Sequence, residues 1–275
     1  MKTVSLGGVE IPVLGLGTWQ VKDEACSDVV RAALESGWTH IDTAARYENE
    51  KAVGKGLRAA SAARDSYFLT SKVWHDQLEP EKLIQACEDS LDRLGLEHLD
   101  LYLIHWPNPR VPLKEQIEAL LEVRARGWTR AVGVSNFTAD LVREAQDLAG
   151  GQLALNQVEY HPFLSQEKVR AALDAAGMGL TAYAPLARGA VSEDETIRDI
   201  AKRHGKSAAQ VGLRWLVQQD NTLAIPKTSN PARLAENAAI FDFELSEAEM
   251  AALTALGGER RRTIDPDFAP DWDDA

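Results

Sequence analysis

Short apolar runs recur along the chain, and each is followed by a segment whose apolar residues return every three or four positions. The runs are VLGLG (13–17), THIDT (39–43), YFLTSK (67–72), LDLYLIHW (99–106), AVGVSN (131–136), LALNQVEY (153–160), GLTAYAPL (179–186) and TLAIPK (222–227). Runs this short and this rich in Val, Ile, Leu and Tyr predict buried strands. The spacing between them, as in DVVRAALESG (28–37), EKLIQACEDSLDRLG (81–95), PLKEQIEALLEVRARG (112–127) and SQEKVRAALDAAG (165–177), predicts helices, several ending on a Gly suited to a C-cap. Strands alternating with helices pair in parallel through right-handed crossovers. Eight such units predict an α/β fold, a (β/α)8 TIM barrel. Ahead of them, Val4 to Leu6 and Val9 to Ile11 flank Gly7-Gly8, the signature of a tight β-hairpin, so residues 1–12 are expected to plug the bottom of the barrel.

At 275 residues a single barrel accounts for the whole chain. No linker, repeat or low-complexity stretch marks a second unit, so one domain is expected over 1–275. Residues 258–275 are expected to form a C-terminal loop or tail. The ending DPDFAPDWDDA is acidic and broken by proline, with Phe268 and Trp272 as its anchors. With 30 Lys and Arg against 42 Asp and Glu, the net charge of −12 argues against a nucleic-acid surface, and any anionic ligand must meet a local positive cluster. No stretch approaches the ~18 apolar residues of a membrane span. Glu10 and Pro12 break any secretion-signal core, and the two cysteines, Cys26 and Cys87, suit a reducing compartment. A cytoplasmic monomer is expected.

In barrels of this type the C-terminal strand ends share one mouth, where chemistry sits. Here those ends carry Thr18 and Trp19, Asp42, Lys72, His105 and Trp106, Ser135 and Asn136, Gln157 and Glu159, Tyr183, and Lys227 with Thr228. Taken singly they are bland: Asp42 reads as a turn cap, Lys72 as a rim lysine, His105 as a satisfied core histidine. With Tyr47 they make a chemical set. A buried Asp steadies an ammonium, and an ammonium beside a phenol favours phenolate, lowering a pKa that starts near ~10. Such a phenol can protonate a carbonyl oxygen while His105 orients it. A lysine at a strand end also suits a Schiff-base aldolase, and barrels host non-catalytic binding and regulatory roles.

The segment IPKTSNPARLAEN (225–237) is a second cluster. Ser229 or Asn230 can cap a helix with Pro231 in its first turn, placing Arg233, Glu236 and Asn237 at i, i+3 and i+4. With Lys227 just ahead, the group suits phosphate, although an ordinary helix with a solvated charged face would read the same way residue by residue. Other motifs fail. LGLGTW has Gln20 where the third glycine of a dinucleotide fingerprint belongs, and GKS at 205–207 follows Ile200 where a phosphate loop needs glycine. No metal-ligand spacing is present, and no metal is expected.

Read in order, GLGTW, HIDTA-x-x-Y-x-NE-x-x-VG at 40–54, SKVW at 71–74, DLYLIHWP at 100–107, VGVSNF at 132–137, NQVEYHP at 156–162, AYAPL at 182–186 and IPK with R-x-x-EN at 225–237 resemble the aldo-keto reductase family over essentially the whole chain. Within it the short loops and the ending FAPDWD are most similar to bacterial members that reduce 2,5-diketogluconate or methylglyoxal. The resemblance implies a catalytic tetrad of Asp42, Tyr47, Lys72 and His105 and an NADPH cofactor. Ser135, Asn136 and Gln157 would hold the nicotinamide carboxamide, Tyr183 would stack on the ring, and Thr18 and Trp19 would also contact the cofactor. Pro185, Leu186 and Ala187 would pass the pyrophosphate. Lys227, Thr228 and Arg233 would take the adenosine 2′-phosphate, with Glu236 and Asn237 near adenine and Ile225 and Ser229 also against the cofactor. Trp19, Trp74, Trp106 and Phe137 would wall the pocket of a small-molecule carbonyl substrate.

Overall fold

In the computed structural model, residues 2–273 are described. The expectation for the hairpin, 1–12, therefore reaches residue 1, and that for the tail reaches residues 274 and 275, all of which lie outside them. Thr3–Leu6 (β1) and Val9–Pro12 (β2) pair antiparallel across Gly7 and Gly8, both at positive φ as a two-residue turn requires. Eight parallel strands follow: Leu16–Gly17 (β3), His40–Asp42 (β4), Phe68–Val73 (β5), Leu99–Ile104 (β6), Thr129–Ser135 (β7), Leu153–Glu159 (β8), Gly179–Tyr183 (β9) and Thr222–Ala224 (β10). They lie side by side in chain order from β3 to β10. Bridges from Leu14 to Ala224 and from Gly17 to Lys227 join the first strand region to the last and close the barrel. The eight expected strands are all present, most of them shorter than their apolar runs.

The helices are Asp23–Glu35 (α1), Glu50–Ala59 (α2), Pro80–Leu94 (α3), Leu113–Ala125 (α4), Ala139–Leu148 (α5), Glu167–Ala175 (α6), Glu195–His204 (α7), Ala208–Val217 (α8), Ala232–Ala238 (α9) and Glu247–Ala255 (α10). The GKS at 205–207 is explained by capping. Gly205 ends α7 in the left-handed conformation, and Ser207 opens α8 with a capping box to Gln210. Among the described residues no helix is long and apolar enough to cross a membrane.

Strand alternation divides the apolar residues into two cores. Phe68, Leu101, Leu103, Ala131, Leu155 and Leu223 point inward and meet Leu6, Val9 and Ile11 of the hairpin. A larger core lies between the strands and the helices. The hairpin sits at the N-terminal end of the barrel, where a side chain on Gly7 would strike Ala154 and one on Gly179 would strike Leu6. The opposite end is left open to the polar strand ends.

Candidate active site

β4 and β5 are neighbours, with Asp42 beside Thr70, so the next residue to face inward on β5, Lys72, projects one level above Asp42. Lys72 is fully buried, and its Nζ donates to Asp42 Oδ1 at 2.6 Å, to the Thr43 carbonyl at 2.8 Å and to the Tyr47 hydroxyl at 3.3 Å. Tyr47 comes from a single helical turn, Ala45–Tyr47, that leaves β4. Asn49 fixes that turn, accepting from Thr43 Oγ1 and donating to the carbonyls of Thr18 and Val21. His105, one residue beyond β6, stands with its ring centre 5.6 Å from that of Tyr47. The four residues singled out in the sequence are therefore adjacent.

The electrostatics correct one expectation. The Tyr47 phenol is pushed well above its usual pKa, first by burial and then by the Asp42 carboxylate. The Asp42 carboxylate opposes the ammonium's field, and in the resting site the loss of water around the hydroxyl outweighs the positive charge beside it. Tyr47 thus stays a protonated donor. Burial pulls Lys72 below its usual value, while the Asp42 charge and hydrogen bond oppose that. His105 is held well below the usual imidazole value, first by burial and then by Lys72, and is neutral at pH 7. Its Nδ1 is buried with no partner among the described residues.

Around this centre the polar strand ends form one network. Gln157 Nε2 donates to Asp42 Oδ2 at 2.8 Å. Ser135 Oγ donates to the Gln157 carbonyl, Asn136 Nδ2 donates to the His105 carbonyl, and the Tyr183 hydroxyl donates to Asn136 Oδ1 at 2.7 Å. Asn136 has φ +62°, a left-handed conformation that Asn tolerates better than most residues. Thr18 is buried and bonded to the Asp42 carbonyl. Beyond β9 the chain turns sharply through Pro185, Leu186 and Ala187, with Ala184 and Ala187 at positive φ.

The segment 225–237 lies at the rim. Ile225 is buried and its N–H bonds the Ala182 carbonyl. Lys227, Ser229 and Arg233 are exposed, while Thr228 Oγ1 is engaged with Asn230. The helix begins one residue later than an Asn230 cap would give and two later than a Ser229 cap would: Pro231 occupies the cap position of α9, and Asn230 Oδ1 accepts from the Ala232 N–H. Glu236 accepts from Ser207, and Asn237 is buried.

Trp19 is 44% exposed and meets the Tyr47 ring edge-on, while Trp74 packs against His105. Trp106 is buried behind them. Phe137 is completely buried in the outer core, held by a reciprocal pair of bonds between its backbone and Asn156, and shows no surface to the mouth. Both tail anchors are in contact. Phe268 stacks on His75 and meets Trp74 and Trp106 edge-on, and Trp272 packs on Trp106 and under Arg262. The tail is held by Glu159, which accepts from Thr263 and Ile264. That clamp, and the part played by His75, left no motif in the sequence.

A model of the Aldo/keto reductase family matches residues 13–257. The glyoxal reductase of Bacillus subtilis (strain 168) is 42% identical over 267 residues, 96% of each chain. A crystal structure provisionally assigned as a 2,5-diketo-D-gluconic acid reductase B superposes with a TM-score of 0.97 at 44% identity, covering 99% of this chain and 98% of that one. An aldo-keto reductase of Bombyx mori in complex with NADP has a TM-score of 0.90 at 31% identity, covering 98% and 97%.

Proposed function

The chain belongs to the aldo/keto reductase family and is an oxidoreductase of carbonyl compounds; on that premise we propose that Tyr47 is its proton donor, Asp42, Lys72 and His105 complete the catalytic set, and NADPH is its cofactor. The observation that carries the assignment is the Lys72 Nζ, 2.6 Å from Asp42 and 3.3 Å from the Tyr47 hydroxyl at the open end of the barrel. NADPH, when bound, supplies the hydride for the carbonyl carbon.

The residues' own work follows from their states. Tyr47, protonated at neutral pH, releases its proton to the oxygen as negative charge develops there. The Lys72 ammonium supports the phenolate left behind, and that interaction grows in the transition state, where it accelerates the reaction. Asp42 keeps Lys72 charged. His105, being neutral, orients the oxygen by hydrogen bonding rather than by charge. Trp74 and Trp106 shield the site from water, with Trp19 covering Tyr47 at the mouth, which strengthens each of these contacts.

The cofactor assignment is supported by the donors available. Ser135, Asn136 and Gln157 present amide and hydroxyl groups suited to a carboxamide, and Tyr183 adds a ring beside them. In a chain of net charge −12, Lys227 and Arg233 are exposed cations at the rim that form no ion pair with another of the described residues, as a 2′-phosphate site needs. Thr228 and Ser229 border them, with Glu236 and Asn237 on the adenine side. Small dicarbonyls such as methylglyoxal or 2,5-diketo-D-gluconate are the proposed substrates, in keeping with the names of the relatives. We place the protein in the cytoplasm as a single-domain monomer, supported by its free, buried cysteines and self-repelling surface.

A Schiff-base role for Lys72 fits poorly, because its Nζ faces three oxygen acceptors and has no free lone pair while it remains an ammonium. The test of the proposal is NADPH consumption across dicarbonyls, keto-sugars, aromatic aldehydes and keto esters. Turnover of dicarbonyls is the expected result. Tight NADPH binding with no carbonyl reduced in any class would replace it with a binding role.

A further inference from the structure

Glu50 has no part in the chemistry above, yet its carboxylate is buried behind the barrel wall in the first turn of α2. Taking a carboxylate out of water is costly unless it is paired and hydrogen-bonded. Here both oxygens are engaged: Ser71 Oγ donates to Oε1 at 2.5 Å, and Arg93 Nε, from α3, donates to Oε2 at 2.7 Å. With the Arg93 side chain one-third exposed, this is a half-buried pair, and such a pair adds little net stability over apolar packing of the same volume. Its presence is better explained by what it holds in place.

What it holds are the two segments that meet at the site. Ser71 directly precedes Lys72 on β5, and because side chains alternate along a strand, Lys72 reaches the mouth while Ser71 faces the helices. Tyr47 lies three residues before Glu50, on the turn that runs into α2. Asn49 secures that turn to the region after β3 through the carbonyls of Thr18 and Val21. Glu50 secures it to β5. We propose that Glu50 is a positioning residue for the Lys72–Tyr47 pair, fixing the turn that carries the proton donor to the strand that carries the ammonium through its bond to Ser71.

The same carboxylate is a fixed negative charge behind the lysine. Burial lowers the Lys72 pKa, Asp42 opposes this most, and Glu50 adds to that opposition. The other titratable groups facing Lys72 are Tyr47, His105 and His40. Those facing Glu50 are Arg93 and Cys87 of α3 and Tyr102 of β6. Arg93 carries the compensating charge.

This inference rests on the catalytic reading of Tyr47 and Lys72, and two substitutions separate its parts. Ser71→Ala cuts the tether and keeps the charge; Glu50→Gln keeps an acceptor for Ser71 and removes the charge. In Ser71→Ala, kcat for a dicarbonyl is expected to fall roughly tenfold to a hundredfold, the cost of a sub-ångström to ångström misplacement, with the basic limb of its pH profile unmoved. In Glu50→Gln that limb shifts to lower pH. NADPH affinity, followed by fluorescence quenching, stays at the wild-type value in both. Folded variants with wild-type kcat and pH profile overturn the proposal, as does a loss of kcat that merely tracks lost NADPH binding. Should Glu50→Gln fail to fold, Ser71→Ala decides alone, an unchanged kcat counting against it. A wild-type protein that reduces no carbonyl refutes instead the catalytic reading on which this one stands.

Discussion

Gln157 and Asp42, 115 residues apart in the chain, are joined by a 2.8 Å hydrogen bond across the barrel mouth. One Asp42 oxygen takes Gln157 and the other takes Lys72, so the residue that steadies the proton-donor pair is also bonded to a residue assigned to the cofactor. Asp42→Asn keeps the shape and removes the charge. Lys72 already lies below its usual pKa through burial, and Asp42 is the chief opposing influence, so its pKa falls further in the variant. The ammonium is then lost from the alkaline side first. The expected outcome is a kcat reduced by about 10²-fold or more and a basic limb moved to lower pH, within the range that acid–base groups contribute.

Lys227→Ala and Arg233→Ala test the rim. Charge-assisted bonds to phosphate contribute about 1.5–3 kcal/mol each, so NADPH should bind roughly tenfold to a hundredfold more weakly in either variant. NADH, without the 2′-phosphate, should bind nearly as before. Titration of both nucleotides against each variant gives the comparison, and equal losses would remove the assignment.

Phe268→Ala tests the tail. The ring makes three aromatic contacts, with His75, Trp74 and Trp106, and aromatic pairs contribute about 0.5–1.5 kcal/mol beyond burial. Because Phe268 is 39% exposed, little global stability depends on it. The expected result is a raised KM for bulky carbonyls with the melting temperature nearly unchanged.

Acid stability has an identifiable contributor far from the mouth. Although burial works the other way, the Ser246 N–H and His204 bring the Glu249 carboxyl down to about 2. A carboxylate with a depressed folded pKa contributes stability that is fully present above its unfolded value, 4.5, and lost as pH falls through about 2. Glu249→Gln should therefore lower the melting temperature at pH 7 and flatten its decline between those two values. Ser246→Ala, which removes the other half of the capping box, should cost about 1 kcal/mol at neutral pH.

Barrel and mouth were legible because periodicity and strand ends are local signals. VLGLG and TLAIPK gave the first and last strand regions, and their Leu14–Ala224 bridge closes the cylinder they imply. GLTAYAPL was read too long, since Ala184 leaves extended geometry at φ +46°. Asp42, Tyr47, Lys72 and His105 could be grouped from their order at strand ends. The raised Tyr47 pKa could not be foreseen, because it depends on how far Asp42 opposes Lys72 and on how much water is excluded. The family resemblance implied a place for Phe137 in the wall, but the turn at Asn136 sends its ring into the core. The Glu159 clamp on Thr263 joins positions 104 residues apart and is a product of the closed fold.

The central claim is that the Tyr47 hydroxyl delivers the proton, and Tyr47→Phe tests it most directly. Steady-state reduction of methylglyoxal should fall by about 10²–10⁴-fold, the usual contribution of a positioned acid, while NADPH still quenches the protein's fluorescence with wild-type affinity. Near wild-type turnover by the phenylalanine variant would contradict the account.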